Sequence, residues 1–165
     1  MRLTTQTLMC LAAAALLAGC DPQRVEKLEE GVSTEVQVRQ QFGEPVTVTV
    51  EADGTRTLEY PRQPEGSANY LIQIGADGKM SSLRQLLTPA NFAKVTPGLG
   101  PLEVRKLLGR PAVMRRFELK NEEVWEWRFK QEGRDDKVFS ATFDASGKVV
   151  STATADDTRL SDPGR

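Results

Sequence analysis

VRQQFGEP at residues 38–45 returns as VRKLLGRP at residues 104–111, and this recurrence decides how the chain is read. Around the pair lie three further matches in the same order. Val25-x-Lys27-Leu28-x-x-Gly31 reappears as Phe92-x-Lys94-Val95-x-x-Gly98, and Leu58-Glu59-Tyr60 as Trp125-Glu126-Trp127. Ile74-Gly75-Ala76-Asp77-Gly78-Lys79 returns as Phe143-Asp144-Ala145-Ser146-Gly147-Lys148. The offset drifts only from 66 to 69 residues, as changes in loop length would make it do. A period of this size, kept in order, indicates one supersecondary unit present twice.

Each copy reads as helix, helix, then a meander of strands. Thr34 followed by Gln37 forms the capping-box pattern, and Gly43 and Pro45 close that helix. Gly100 and Pro101 fit the N-cap and first helical positions of the later helix, which Gly109-Arg110-Pro111 ends in the same way. Val104, Leu107 and Leu108 make one apolar stripe. Thr88-Pro89 opens a shorter helix in which Phe92 and Val95 share a face. Strands follow from alternation: Val46, Val48 and Val50 point one way, and Trp125, Trp127 and Phe129 form a single face. Tyr70, Ile72 and Ile74 correspond to Phe139, Ala141 and Phe143. The expected fold class is α+β: two tandem helix-helix-antiparallel-sheet units, each sheet of three or four strands and covered on its apolar face by its own helices. Residues 81–88 form a connector too apolar to be free, so the halves are expected to pack together.

Outside the repeat, Arg2 and the apolar run at residues 8–19 read as a secretory signal peptide. A bilayer needs about 20 apolar residues, so this run is too short to span one. Leu17-Ala18-Gly19-Cys20 resembles the lipobox of bacterial lipoproteins, which implies cleavage before Cys20 and lipidation of its thiol. The expected divisions are a leader at 1–19, a lipid-anchored start at 20–23, a first unit at 24–84, a second at 85–154 and a mobile polar tail at 155–165.

Composition narrows the function. The leader removes one cation from 22, leaving 21 Lys and Arg against 23 Asp and Glu, a net charge of −2. No bulk attraction to nucleic acid follows from that balance, and no nucleic-acid partner is expected. Cys10 lies in the leader and Cys20 is the lipidation site, so disulfides and cysteine chemistry are absent from the folded part. The chain has no histidine, which removes the commonest general base and the commonest metal ligand together. Asp135-Asp136 and Asp156-Asp157 lack further ligands at metal-binding spacing, and Gly98-Leu99-Gly100 is too short to cradle a phosphate. Neither an enzyme nor a cofactor is expected.

The helix-Gly-x-Pro element, the aromatic-x-aromatic strand and Phe143-Asp144-Ala145-Ser146-Gly147-Lys148-Val149, taken with the lipobox, resemble the SmpA/OmlA (BamE-like) family of small outer-membrane lipoproteins. The resemblance implies a two-helix, three-strand α+β domain and, as partner, the machinery that inserts β-barrel proteins into the outer membrane. That family's assembly subunit has one such domain, whereas this chain reads as two. In tandem, the unit is also similar in outline to the β-lactamase inhibitor protein fold, which implies an alternative role as a periplasmic inhibitor or binding module. The family implies the outer membrane, while Asp21 after Cys20 resembles an inner-membrane retention signal, so both destinations stay open.

Two sets of residues are candidates for contact. The spacing of Trp125 and Trp127, on a strand facing helices, points to the core rather than to an interface. Arg105, Lys106, Arg110, Arg115 and Arg116 cluster around the end of the later helix and the next strand, where a partner protein or phospholipid headgroups are the expected contacts. The competing reading is a solvated face with cations favoured near a helix C-terminus. Arg39 and Arg105 hold equivalent positions, which suggests a repeated structural contact.

Overall fold

A computed structural model describes residues 21–158. The leader at 1–19, Cys20 and residues 159–165 of the expected tail lie outside the described residues. In chain order the elements are α1 (Asp21–Val25), α2 (Glu35–Phe42), β1 (Thr47–Val50), β2 (Arg56–Pro61), β3 (Asn69–Ile74) and β4 (Met80–Gln85). There follow α3 (Pro89–Phe92), α4 (Pro101–Leu108), β5 (Val113–Phe117), β6 (Glu122–Gln131), β7 (Asp135–Phe143) and β8 (Val149–Asp156). The strands form two separate four-stranded antiparallel meanders, β1-β2-β3-β4 and β5-β6-β7-β8. The fold is therefore α+β with two sheets, and the two-unit arrangement expected from the repeat is compatible with it.

The helix ends follow the local chemistry of the repeat. Thr34 Oγ1 accepts from the Gln37 N–H, and the Gln37 side chain accepts from the Thr34 N–H at 2.8 Å. At Gly100 there is no side chain to cap with, so only half of that arrangement survives: Glu103 accepts from the Gly100 N–H at 2.7 Å. Gly43 and Gly109 close the two helices with φ of 80° and 73°, each donating its N–H back to Arg39 or Arg105. A β-carbon is disfavoured at such angles, which is why glycine recurs there.

Alternation along the strands builds two cores. In the first, Val38 and Phe42 from α2 meet Leu58, Tyr60, Tyr70, Ile72, Ile74 and Met80. In the second, Phe92, Val95, Val104 and Leu108 meet Trp125, Trp127, Phe129, Phe139, Ala141 and Phe143. The tryptophans thus belong to the interior. Trp127 donates its indole N–H to the Gly109 carbonyl at 3.2 Å, fastening the end of α4 to the sheet. Phe92 stacks on Phe139 at 4.4 Å and meets Phe129 edge-on at 4.7 Å. The Phe-Asp-x-x-Gly motif is a turn. Asp144 accepts from the Ser146 N–H and hydroxyl and from the Lys148 N–H, and these bonds hold its carboxyl below the usual carboxylate range.

Several expectations are corrected. Val48 and Val50 do lie toward the core-facing side, Val48 opposite Leu58, while Val46 precedes the strand, and all three are exposed because β1 is the sheet's edge strand. The connector at 81–88 is largely strand β4, with Leu86 and Leu87 buried after it. The tail boundary at 155 is too early, since β8 runs to Asp156 and Asp157 is buried. Asp157 donates its N–H to the Asp136 carbonyl and pairs with Arg128 at 3.6 Å, so polar composition at this end hides an ordered edge. Helix α1 opens at Asp21, within the stretch assigned to the anchor.

One consequence is measurable by titration. Tyr60 is 2% exposed, and its hydroxyl has no hydrogen-bond partner among the described residues. Burial pushes its pKa up to about 12, against an ordinary value of 10.0. The fold holds the neutral phenol, so this contribution is complete below pH 10 and is lost as pH rises through about 12. The loss amounts to about 2–3 kcal/mol. A Tyr70→Phe variant leaves Tyr60 as the only tyrosine. Its tyrosinate absorbance is expected to appear about two pH units above that of a free tyrosine, together with alkaline unfolding.

Candidate functional site

The face of the first sheet opposite its core carries Thr49 and Glu51 at the β1 side, Thr57, Glu59 and Pro61 on β2, and Leu71 on β3. Their placement follows from the register, which sets Thr49 opposite Thr57 and Glu59 opposite Leu71. The C-terminal end of α4, from the other half of the chain, closes over this face. Between them lies a cleft of about 200 Å³ with Arg105, Lys106 and Arg110 on one side and Glu51 and Glu59 on the other. Tyr70, Leu71, Pro61 and Leu86 supply its apolar lining.

Asn69 sets this geometry. It is 1% exposed and donates its amide N–H bonds to the Leu108 carbonyl at 2.7 Å and the Arg110 carbonyl at 2.9 Å. The last carbonyls of a helix have no partner within it, so a side chain of the first sheet caps a helix of the second half. Contact is close: a β-carbon on Gly109 would sit 3.1–3.4 Å from the Asn69 side chain. A second tie lies at Gln63. β5 pairs with β6 only as far as Glu126, and beyond it the Gln63 amide acts as one rung of a strand. It donates to the Arg128 carbonyl at 2.8 Å and accepts from the Arg128 N–H at 3.3 Å. The Arg128 guanidinium completes the tie by donating to the Pro64 carbonyl at 2.6 Å.

The five candidate cations do not form one patch. Arg105, Lys106 and Arg110 line the cleft. Arg115 and Arg116 leave it along β5, where Arg115 pairs with Glu126 at 3.1 Å and Arg116 with Glu118 at 3.1 Å. The repeated contact expected of Arg39 and Arg105 also differs between the copies. Arg39 is held by Glu35 at 2.7 Å and by Glu44. The positions equivalent to Glu35 and Glu44 are Pro101 and Arg110, so Arg105 has lost both carboxylates. Among the described residues, the side chains of Arg105, Lys106, Arg110, Glu51 and Glu59 make no ion pair or hydrogen bond with one another. Opposite charges held apart over an apolar floor suit binding, since each keeps its capacity to pair with something that enters.

Reading the sequence alone missed Glu51, Glu59, Asn69 and Gln63. The carboxylates were legible as the polar side of alternating strands, but nothing in their spacing ties them to α4. Among the described residues, no group of three or more Asp and Glu is placed to hold a metal ion, and no helix is long and apolar enough to cross a membrane.

No family model matches the chain, the SmpA/OmlA family included, and no curated protein matches it. Among solved structures it is similar to one described as an osmotically inducible lipoprotein, OsmE, at 22% identity and a TM-score of 0.38, covering 46% of this chain and 79% of that one. It is also similar to a DUF4309-family protein, YjgB, from Bacillus subtilis subsp. subtilis strain 168, at 18% identity and a TM-score of 0.34, over 82% of this chain and 86% of that one. A structure described as a β-lactamase inhibitor protein from Streptococcus mutans is 12% identical with a TM-score of 0.34, over 82% of this chain and 95% of that one. Overall superposition is poor in each case, so none of them speaks to what this chain binds.

Proposed function

We propose that this chain is a lipid-anchored protein-binding scaffold of the cell envelope, BamE-like in type, made of two related helix–sheet units. It faces the periplasm, serves outer-membrane protein assembly or envelope integrity, and catalyses no reaction. Cys20 is the anchor, and the outer membrane is the favoured destination. The reading rests on the cleft: three cations that have no partner among the described residues face two carboxylates across an apolar floor, at the place where the two halves meet. A protein segment carrying both signs and an apolar side chain satisfies every wall of that cleft. A nucleic acid does not, because Glu51 and Glu59 repel its phosphates and the chain carries more acid than base.

The test is photo-crosslinking in cells from a reactive residue placed at Thr57 or Lys106. It is expected to recover an envelope protein, with components of the β-barrel assembly machinery among the products. Reversing the charge of Arg105, Lys106 and Arg110 together is expected to weaken that capture at least tenfold, about 1.4 kcal/mol. Deleting the gene is expected to raise sensitivity to bulky antibiotics, and the same charge reversal should reproduce it. Recovery of an exported hydrolase instead would move the assignment to an inhibitor, and recovery of lipid alone would remove the scaffold reading.

A further inference from the structure

Residues 46–50 read Val-Thr-Val-Thr-Val, the same in both directions. Thr47–Val50 form β1, the edge of the first sheet, with Val46 just before it, and nothing among the described residues lies hydrogen-bonded against the outer side of β1. Val46, Val48 and Val50 are 65%, 42% and 65% exposed. Glu51 donates its N–H to the Thr55 carbonyl at 2.8 Å and Val46 donates its N–H to the Glu59 carbonyl at 2.9 Å, so Glu51, Thr49, Thr47 and the N–H of Val46 are bonded to β2. Backbone groups alternate in direction along an antiparallel strand, which leaves those of Val48 and Val50 facing the open edge.

The other edges are treated differently. On β4, the Glu30 carboxylate takes the Leu83 N–H at 2.8 Å, Gly31 and Ser33 bond to Met80, and Arg84 adds a charge. β5 carries Arg115 and Arg116. The start of β8 is occupied by Gly98 and Leu99, which bond to both backbone groups of Val149. Charge and coverage are the usual means by which edge strands avoid pairing, and β1 has neither.

We infer that β1 is the contact for a second copy of this chain, joined antiparallel about a two-fold axis through Val48 to give one continuous eight-stranded sheet. A two-fold interface requires a surface complementary to itself, and a palindromic strand is that in one dimension. With Val48 opposite its own copy, Val46 meets Val50 and Thr47 meets Thr49, so apolar faces apolar and hydroxyl faces hydroxyl along the whole strand. Glu51 falls opposite Pro45 and Glu44 opposite Ala52, which keeps like charges from meeting. By contrast, reversing β8 sets Val150 against Thr154 or Asp156, and no register of that strand matches like with like over more than three residues. The contact does not depend on which protein the cleft holds.

Val48→Cys tests the register in the full chain expressed in its envelope. The parent's cysteines, Cys10 and Cys20, are common to every variant, so a new product reports position 48 alone. Mild oxidation is expected to give a product of twice the mass for Val48→Cys and none for Thr152→Cys on β8. Absence of that product, or equal crosslinking from both edges, overturns the proposal. Sedimentation of the purified full chain supplies the second measurement. Val48→Pro removes an edge donor at a site where an edge strand tolerates proline, and Val48→Lys sets two charges opposite each other on the axis. Each is expected to raise the dimer dissociation constant at least tenfold while the circular dichroism spectrum stays that of the parent. A parent that sediments as a monomer at every concentration, or either folded variant with an unchanged constant, also overturns it.

Discussion

Trp127→Ala is expected to lower stability by about 3–5 kcal/mol, the cost of emptying a large aromatic site in a packed core. Trp127 is fully buried, packs near Trp125 and Phe139, and ends on a hydrogen bond to the carbonyl of Gly109. Losing it removes apolar contact and frees a carbonyl at the end of α4 in the same step. Domains of this size hold about 5–15 kcal/mol in total, so a large fraction is at stake. Denaturant unfolding followed by the fluorescence of the remaining Trp125 measures the change. A loss under about 1 kcal/mol would contradict the placement of this side chain at the centre of the second core.

Asn69→Leu carries the second large effect. Leucine fills a similar volume but donates nothing, so the carbonyls of Leu108 and Arg110 lose their shared partner. Leaving buried acceptors unpaired costs about 1–3 kcal/mol each, and about 2–4 kcal/mol is expected here. The damage should also be local in a particular way. Asn69 belongs to the first sheet and its acceptors to α4, so the variant is expected to loosen the seat of α4 over the cleft without emptying either core. Hydrogen exchange at residues 108–110 is the readout, with faster exchange there and little change at Ile72 or Ala141. Uniform acceleration across both sheets would mean that Asn69 supports the fold as a whole rather than the joint.

Both predictions bear on how much of the protein is legible in its residues. The helix boundaries at Thr34, Gly43, Gly100 and Gly109 came from capping chemistry, which acts within a few residues and needs no tertiary partner. The inward faces of β2, β3, β6 and β7 came from strict alternation, a property of the strand itself. Where alternation misled, at β1, Val48 and Val50 do share the core-facing side, yet the edge strand stays exposed. Whether a face is covered depends on lateral position in the sheet, which no local pattern records.

The candidate site divides along the same line. Arg105, Lys106 and Arg110 were found because they crowd one helix end, yet Arg115 and Arg116, adjacent in sequence, find partners elsewhere. Comparing the copies explains the difference at Arg105, since Pro101 and Arg110 stand where Glu35 and Glu44 hold Arg39. That comparison needs the first copy's ion pairs to be seen before the loss in the second carries meaning.

By itself the amino-acid sequence determined the caps, the alternating faces and the absence of histidine and cysteine from residues 21–158. Each of these is set by residues close together in the chain or by simple inventory. Only the tertiary structure decided that Asn69 caps α4, that Gln63 extends β6, and that Glu51 and Glu59 face three cations across a cleft. Asn69 and Gln63 have no counterpart in the other copy, where they align with Val138 and Lys130. Repetition reveals what each half needs for its own core, whereas the hydrogen bonds of the joint are made by Asn69 and Gln63, which do not repeat.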